Sequence, residues 1–116
     1  MKITRLYTGS DGESHFEDIE IPLEDSGAIG KMSQFQDVTG IIFRETSPDY
    51  DYDWHTVPRR QYVITLSGAV DIEVGDGTTR RFGPGDILLA EDTTGKGHRS
   101  RAVNAQPRRS IFVTLD

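Results

Sequence analysis

Polar and apolar residues alternate along most of this chain with a period of two, and no segment repeats with the period of a helix. The clearest case is Val70-Asp71-Ile72-Glu73-Val74, with three apolar residues on one face and two acids on the other. Gly75-Asp76-Gly77 then makes a hairpin turn, and residues 78–82 return. The same signal predicts strands at residues 62–66, 87–90, 98–103 and 110–115. Upstream, residues 1–7 alternate loosely and read as an edge strand. Residues 19–23 read as a short strand stopped by Pro22, and residues 38–43 as a strand with a bulge at Gly40. Residues 8–13, 24–32 and 46–53 carry the glycines, prolines and acids of loops. Many short strands at regular spacing predict an all-β sandwich or barrel.

Residues 54–68, W-H-T-V-P-R-R-Q-Y-V-I-T-L-S-G, depart from simple alternation. If one strand register runs through them, His55, Val57, Arg59, Gln61, Val63 and Thr65 share a face. A histidine, an arginine and a glutamine on the face of an apolar strand need a reason. A second stretch answers them. Phe82-Gly83-Pro84-Gly85-Asp86 is a turn, a strand follows at Ile87–Ala90, and Glu91-Asp92-Thr93-Thr94-Gly95-Lys96-Gly97 leads to His98. That loop lacks the Walker pattern and precedes a strand, so a phosphate loop is excluded. Its glycines let the backbone fold over the barrel mouth and place His98.

Together the two stretches resemble the two motifs of the cupin superfamily, small β-barrels that often hold a metal. The first motif runs from His through a second His and a Glu to Gly, and its places fall on His55, Val57, Gln61 and Gly68. The places of the second fall on Gly85, Thr93, Gly95, His98 and Ala102. The resemblance implies a cupin-type jelly-roll β-barrel, with the motif-bearing barrel at about residues 40–115 of a single domain spanning 1–116. It also implies a homodimer; residues 1–7, strand-like yet set apart by loops, are expected to add to a sheet edge of the second copy. Its metal set would be His55, Gln61 and His98, holding one divalent ion of manganese, iron, nickel or zinc with water completing the shell. Val57 cannot ligate, which keeps a second alternative open: a metal-free cavity whose two histidines bond to their neighbours.

Composition narrows the chemistry. The chain has no cysteine, so any metal must use histidine, carboxylate or amide oxygen. A net charge of −6 argues against nucleic acid or an anionic membrane as partner. No apolar run approaches the ~18 residues of a membrane helix. The N-terminus lacks the basic-then-apolar order of a signal peptide, so a cytoplasmic protein is expected. Arg59, sharing a face with His55 and Gln61, is the candidate fork for a carboxylate. The alternatives are an ion pair with Asp53 or Glu45, or a register slip at Pro58 that turns Arg59 out and Arg60 in. Trp54, Tyr52 and Tyr50 are candidates to wall a small-molecule cavity. Arg99, Arg101, Arg108 and Arg109 read as an outward, solvated basic cluster. Three functions stand: a metal-dependent enzyme acting on a small organic acid or carbonyl compound, a metal-free binding or sensing module, and a metal-free enzyme with His55 or His98 as general base.

Overall fold

The computed structural model describes residues 1–116 and contains no α-helix. Its strands are β1 (Lys2–Thr8), β2 (Ser14–Glu20), β3 (Glu24–Asp25), β4 (Lys31–Met32), β5 (Gly40–Thr46) and β6 (Asp51–His55). They continue with β7 (Gln61–Ser67), β8 (Val70–Glu73), β9 (Thr79–Phe82), β10 (Ile87–Ala90), β11 (His98–Ala102) and β12 (Arg108–Thr114). Six form one sheet in the order β2-β1-β10-β7-β12-β5, and four form a second in the order β6-β11-β8-β9. The two sheets face each other as a jelly-roll sandwich, and β3 and β4 make a separate small hairpin.

Strand alternation puts the core between the sheets. On β7, Gln61, Val63 and Thr65 are buried while Tyr62 and Ile64 are only half-buried and Leu66 is exposed. On β8, Val70 and Ile72 turn inward and Asp71 and Glu73 outward. Leu6, Val57, Val63, Val70, Ile72, Phe82 and Leu88 belong to one apolar cluster. No helix is long and apolar enough to cross a membrane.

Three expectations change. First, β1 is not an edge strand reaching toward a second copy. It lies inside its own sheet, antiparallel to β2 and parallel to β10. Its backbone groups are paired on both sides, which leaves none for a neighbour. Second, residues 54–68 are not one strand. The chain leaves β6 at His55, turns through Pro58 and re-enters regular structure at Gln61 in the other sheet. Proline lacks the N–H a ladder needs, so the strand breaks there and the parity counted from His55 lapses. Third, β12 begins at Arg108 rather than Ser110. That extension keeps parity with Ser110 and Thr114 and carries Arg108 inward, where it is buried.

Candidate ligand cavity

A cavity of about 200 Å3 lies between the sheets. Its walls are mixed. Val57, Val63, Val70, Ile72 and Leu88 supply apolar surface, and His55, Gln61, His98, Ser100, Arg44 and Arg108 supply the polar groups.

The histidines come from adjacent strands of the four-stranded sheet. His55 at the end of β6 pairs with His98 at the start of β11, and their ring centroids are 4.4 Å apart. Gly97 permits this approach. It adopts φ of 77°, and a methyl group there would fall against the His55 carbonyl. The loop before it is tied to the β1–β2 hairpin. Lys96 N–H donates to the Gly12 carbonyl at 3.0 Å, and Ser14 Oγ donates to Asp92 Oδ2 at 2.7 Å.

Asp92 is fully buried and does more than anchor the loop. The same Oδ2 accepts the Nδ1–H of His98 at 2.6 Å, while Oδ1 makes no hydrogen bond within the protein. The Nδ1 of His55 donates to the Asp53 carbonyl at 2.6 Å, since a carbonyl oxygen can only accept. Both imidazoles therefore carry a proton on Nδ1, and in the neutral ring Nε2 keeps the lone pair. Burial holds the His55 pKa below the ordinary histidine value, and the neighbouring His98 and Arg44 act in the same direction.

The other sheet contributes the cations. Arg108 on β12 is 3% exposed. Its Nη2 donates to Thr65 Oγ1 at 3.2 Å, and its Nε has no partner. Burial first, and then the nearby Arg44 charge, push its guanidinium down to about 10; no carboxylate opposes them. Arg44 on β5 donates to Ser110 Oγ at 3.2 Å and lies over the Phe112 ring at 4.5 Å. Several other arginines meet acids: Arg5 and Arg60 share Glu91, Arg80 meets Asp18, and Arg81 meets Asp71.

Among the residues singled out in the sequence, His55, Gln61, His98, Tyr50 and Tyr52 do line the cavity. Arg59 does not. It is exposed on the turn between β6 and β7, where the break at Pro58 freed it from the inward register. Arg60 does not take its place inward either: it is exposed too and bonded to Glu91. Trp54 lies outside the cavity lining, with the Lys96 ammonium 4.5 Å from its ring centroid. Arg108, expected among the outward arginines, is inward instead. The inward signal was present in Arg108, Ser110, Phe112 and Thr114, which alternate if the strand is extended back past Ser110. Nothing in the local sequence of the 91–97 loop marks Asp92 as the partner of His98.

No protein-family model matches the chain, and no curated protein matches it. Solved structures do. A Cupin 2 conserved barrel domain protein from Salinispora arenicola superposes with a TM-score of 0.52 at 18% identity, over 66% of this chain and 61% of that one. An uncharacterized conserved protein with a double-stranded β-helix domain from Klebsiella pneumoniae gives 0.51 at 20% identity, over 65% of this chain and 64% of that one. A sugar phosphate isomerase of the cupin superfamily from Silicibacter pomeroyi gives 0.53 at 19% identity, over 100% of this chain and 71% of that one. The chain has a cupin fold. It spans less than two thirds of the Salinispora and Klebsiella chains.

The cupin metal places can be tested on this geometry. An ion there would receive two neutral imidazoles and one neutral amide oxygen from Gln61. Val57 adds nothing, and no group of three His, Asp or Glu side chains is placed to hold a metal ion. Asp92 lies behind His98 rather than beside it, and Arg44 and Arg108 add positive charge to the same space. With only two imidazoles and one amide oxygen, and two guanidinium charges in the same space, this donor set does not suit a resident metal.

Proposed function

We propose that this cupin barrel binds a small organic anion, a carboxylate or an enolisable carbonyl acid, in the cavity between its sheets and without a resident metal. The observation that carries this reading is Arg108: a buried guanidinium with an unpartnered Nε, no opposing carboxylate and a face on the cavity. An isolated buried charge is costly unless something pairs with it. A planar carboxylate matches the guanidinium fork. At about 200 Å3 the cavity is smaller than the usual drug-sized pocket, which suits a compact acid. Tyr50, whose hydroxyl bonds Ser100 Oγ at 2.7 Å, and Tyr52 flank it.

A thermal-shift screen tests this with short mono- and dicarboxylates, each beside its neutral amide of similar shape. The acids are expected to raise Tm and the amides to leave it unchanged. Equal shifts for both sets would remove the anion reading.

A second reading places one manganese, iron, nickel or zinc ion on His55, Gln61 and His98. Its support is the tying of both Nδ1 atoms to oxygens, as metal-bound imidazoles are tied. Elemental analysis after growth with all four metals decides. Stoichiometric metal that is lost in His55→Ala and His98→Ala would establish this reading, and Val57→His should then tighten it. We expect the wild-type protein to carry less than stoichiometric metal.

We also propose that the chain pairs with a second copy through β5. This strand is bonded on one side only, and Ile41 and Phe43 on it are 56% and 75% exposed. An apolar edge of this kind is a template for pairing. Light scattering should give a dimer mass at micromolar concentration. Phe43→Lys should give a monomer with its sheet signal intact; a monomeric wild type would refute the pairing.

A further inference from the structure

The anion reading uses Arg108 and Arg44 and leaves Asp92 and His98 without a task. Asp92 is a buried carboxylate that accepts from Ser14 and from His98 Nδ1. A carboxylate in that place fixes the imidazole tautomer and ring orientation, and stabilises the imidazolium when one forms. His98 is 5% exposed, lines the cavity, and has no protein partner on Nε2. Nε2 is thus left for a ligand in the cavity. His98 enters from β11 of one sheet and Arg108 from β12 of the other. A ligand between them meets a base on one wall and a fixed cation on the opposite wall.

Resting on the reading of the cavity as an organic-anion site, we propose that it catalyses proton transfer at carbon: His98, oriented by Asp92, takes a proton from the carbon beside the carbonyl of a bound oxo acid. The C–H bond breaks and its proton goes to Nε2. The electron pair moves into the new C=C bond, and the carbonyl π pair moves onto oxygen as an enolate. The guanidinium of Arg108, with Arg44 beside it, opposes that negative charge. The imidazolium formed at His98 sits against the Asp92 carboxylate. Return of the proton to the same carbon, or delivery to the enolate oxygen, closes the step with no oxidant and no co-reactant. The reaction class is enolisation, as in a tautomerase or epimerase. His98 is the general base, and Asp92 is a positioning residue.

The purely structural alternative is that the pair only pins the loop of residues 91–97 to β11. Deuterium exchange separates the two. Pyruvate, 2-oxobutyrate and 2-oxoglutarate are incubated with the protein in D2O, and loss of the C3 proton signal is followed by NMR. Binding of the same probes is read by thermal shift. At least one probe that binds should exchange about 100-fold faster than with equimolar imidazole. His98→Gln should remove that acceleration while the thermal shift persists. Asp92→Asn, close to isosteric, should bind the probe yet lose about 100-fold or more, because its amide oxygen can keep both hydrogen bonds of Oδ2 but carries no charge to stabilise the imidazolium that forms. The 15N spectrum of His98 should show Nδ1–H retained, so that the loss reads as lost charge rather than lost orientation. If His98→Gln fails to fold, the Asp92→Asn pair of measurements carries the test. Probes that bind but exchange at the imidazole rate would overturn this proposal and leave the anion site standing. Exchange that survives both substitutions would also overturn it, and failure of every probe to bind would overturn the anion reading with it.

Discussion

Replacing Arg108 by Met is expected to make the protein more stable and its cavity indifferent to acids. The guanidinium is pushed down to about 10 by burial and by Arg44, with no acid in compensation. Its pKa is therefore lower in the folded chain than in the unfolded one. Between pH of about 10 and the ordinary arginine value, the unfolded chain binds more protons, so stability rises with pH across that window. Below the window, pH 7 included, the whole cost is present. It is on the order of 3 kcal/mol. Methionine fills much of the same volume and needs no partner, although the bond to Thr65 is lost. The net expectation is a rise in Tm of roughly 5–10 °C. Affinity for a small carboxylate should fall about ten- to a hundredfold, the weight of one charged hydrogen-bond contact. Calorimetric melts and an acid titration on both proteins measure the two effects together. A lower Tm with unchanged acid affinity would mean that Arg108 is part of the scaffold and not of a binding site.

Gly97→Ala is expected to have the largest effect on folding of any single methyl group added to the site. Gly97 adopts φ of 77°, a conformation in which an L side chain is strained. The close backbone approach matters more. The methyl would press on the carbonyl of His55 and the amide of Thr56, both backbone atoms that cannot rotate away. Either β11 separates from β6, or the loop from Asp92 is displaced. We expect a loss of about 3 kcal/mol or more, a large share of the 5–15 kcal/mol that holds a domain together. Gly77 is the control. It has φ of 89°, but nothing lies within 4 Å of an added methyl. Gly77→Ala should therefore cost only the ~1–2 kcal/mol of the left-handed conformation. Urea unfolding of the two variants isolates the close approach. Similar losses for both would show that β6 and β11 do not need the contact.

The clear strand signals were legible because period-two patterning is local. Residues 87–90 and 69–74 match β10 and β8 to within a residue. The two short motifs carry His55, Gln61 and His98, and all three line one cavity. Illegible were the positions where one register stops and another starts. Arg59 was assigned to the cavity by counting parity through Pro58, across a turn that carries the chain from one sheet to the other. Arg108 was assigned to solvent because Pro107 beside it read as a turn, although the inward parity of β12 begins at that residue. Trp54 was grouped with Tyr50 and Tyr52 by proximity in the chain, yet it does not share their cavity.

Alone, the sequence determined that the protein is all-β, that its turns lie where glycine and proline stand, and that thiolate chemistry is absent. Each of these follows from a residue and its near neighbours. Tertiary structure decided which charges face the cavity. That choice depends on which sheet a strand joins and on pairings between residues far apart, such as Asp92 with Ser14 and Arg108 with Thr65. A local pattern cannot encode those contacts, because burial and charge balance are properties of the assembled sandwich rather than of any one strand.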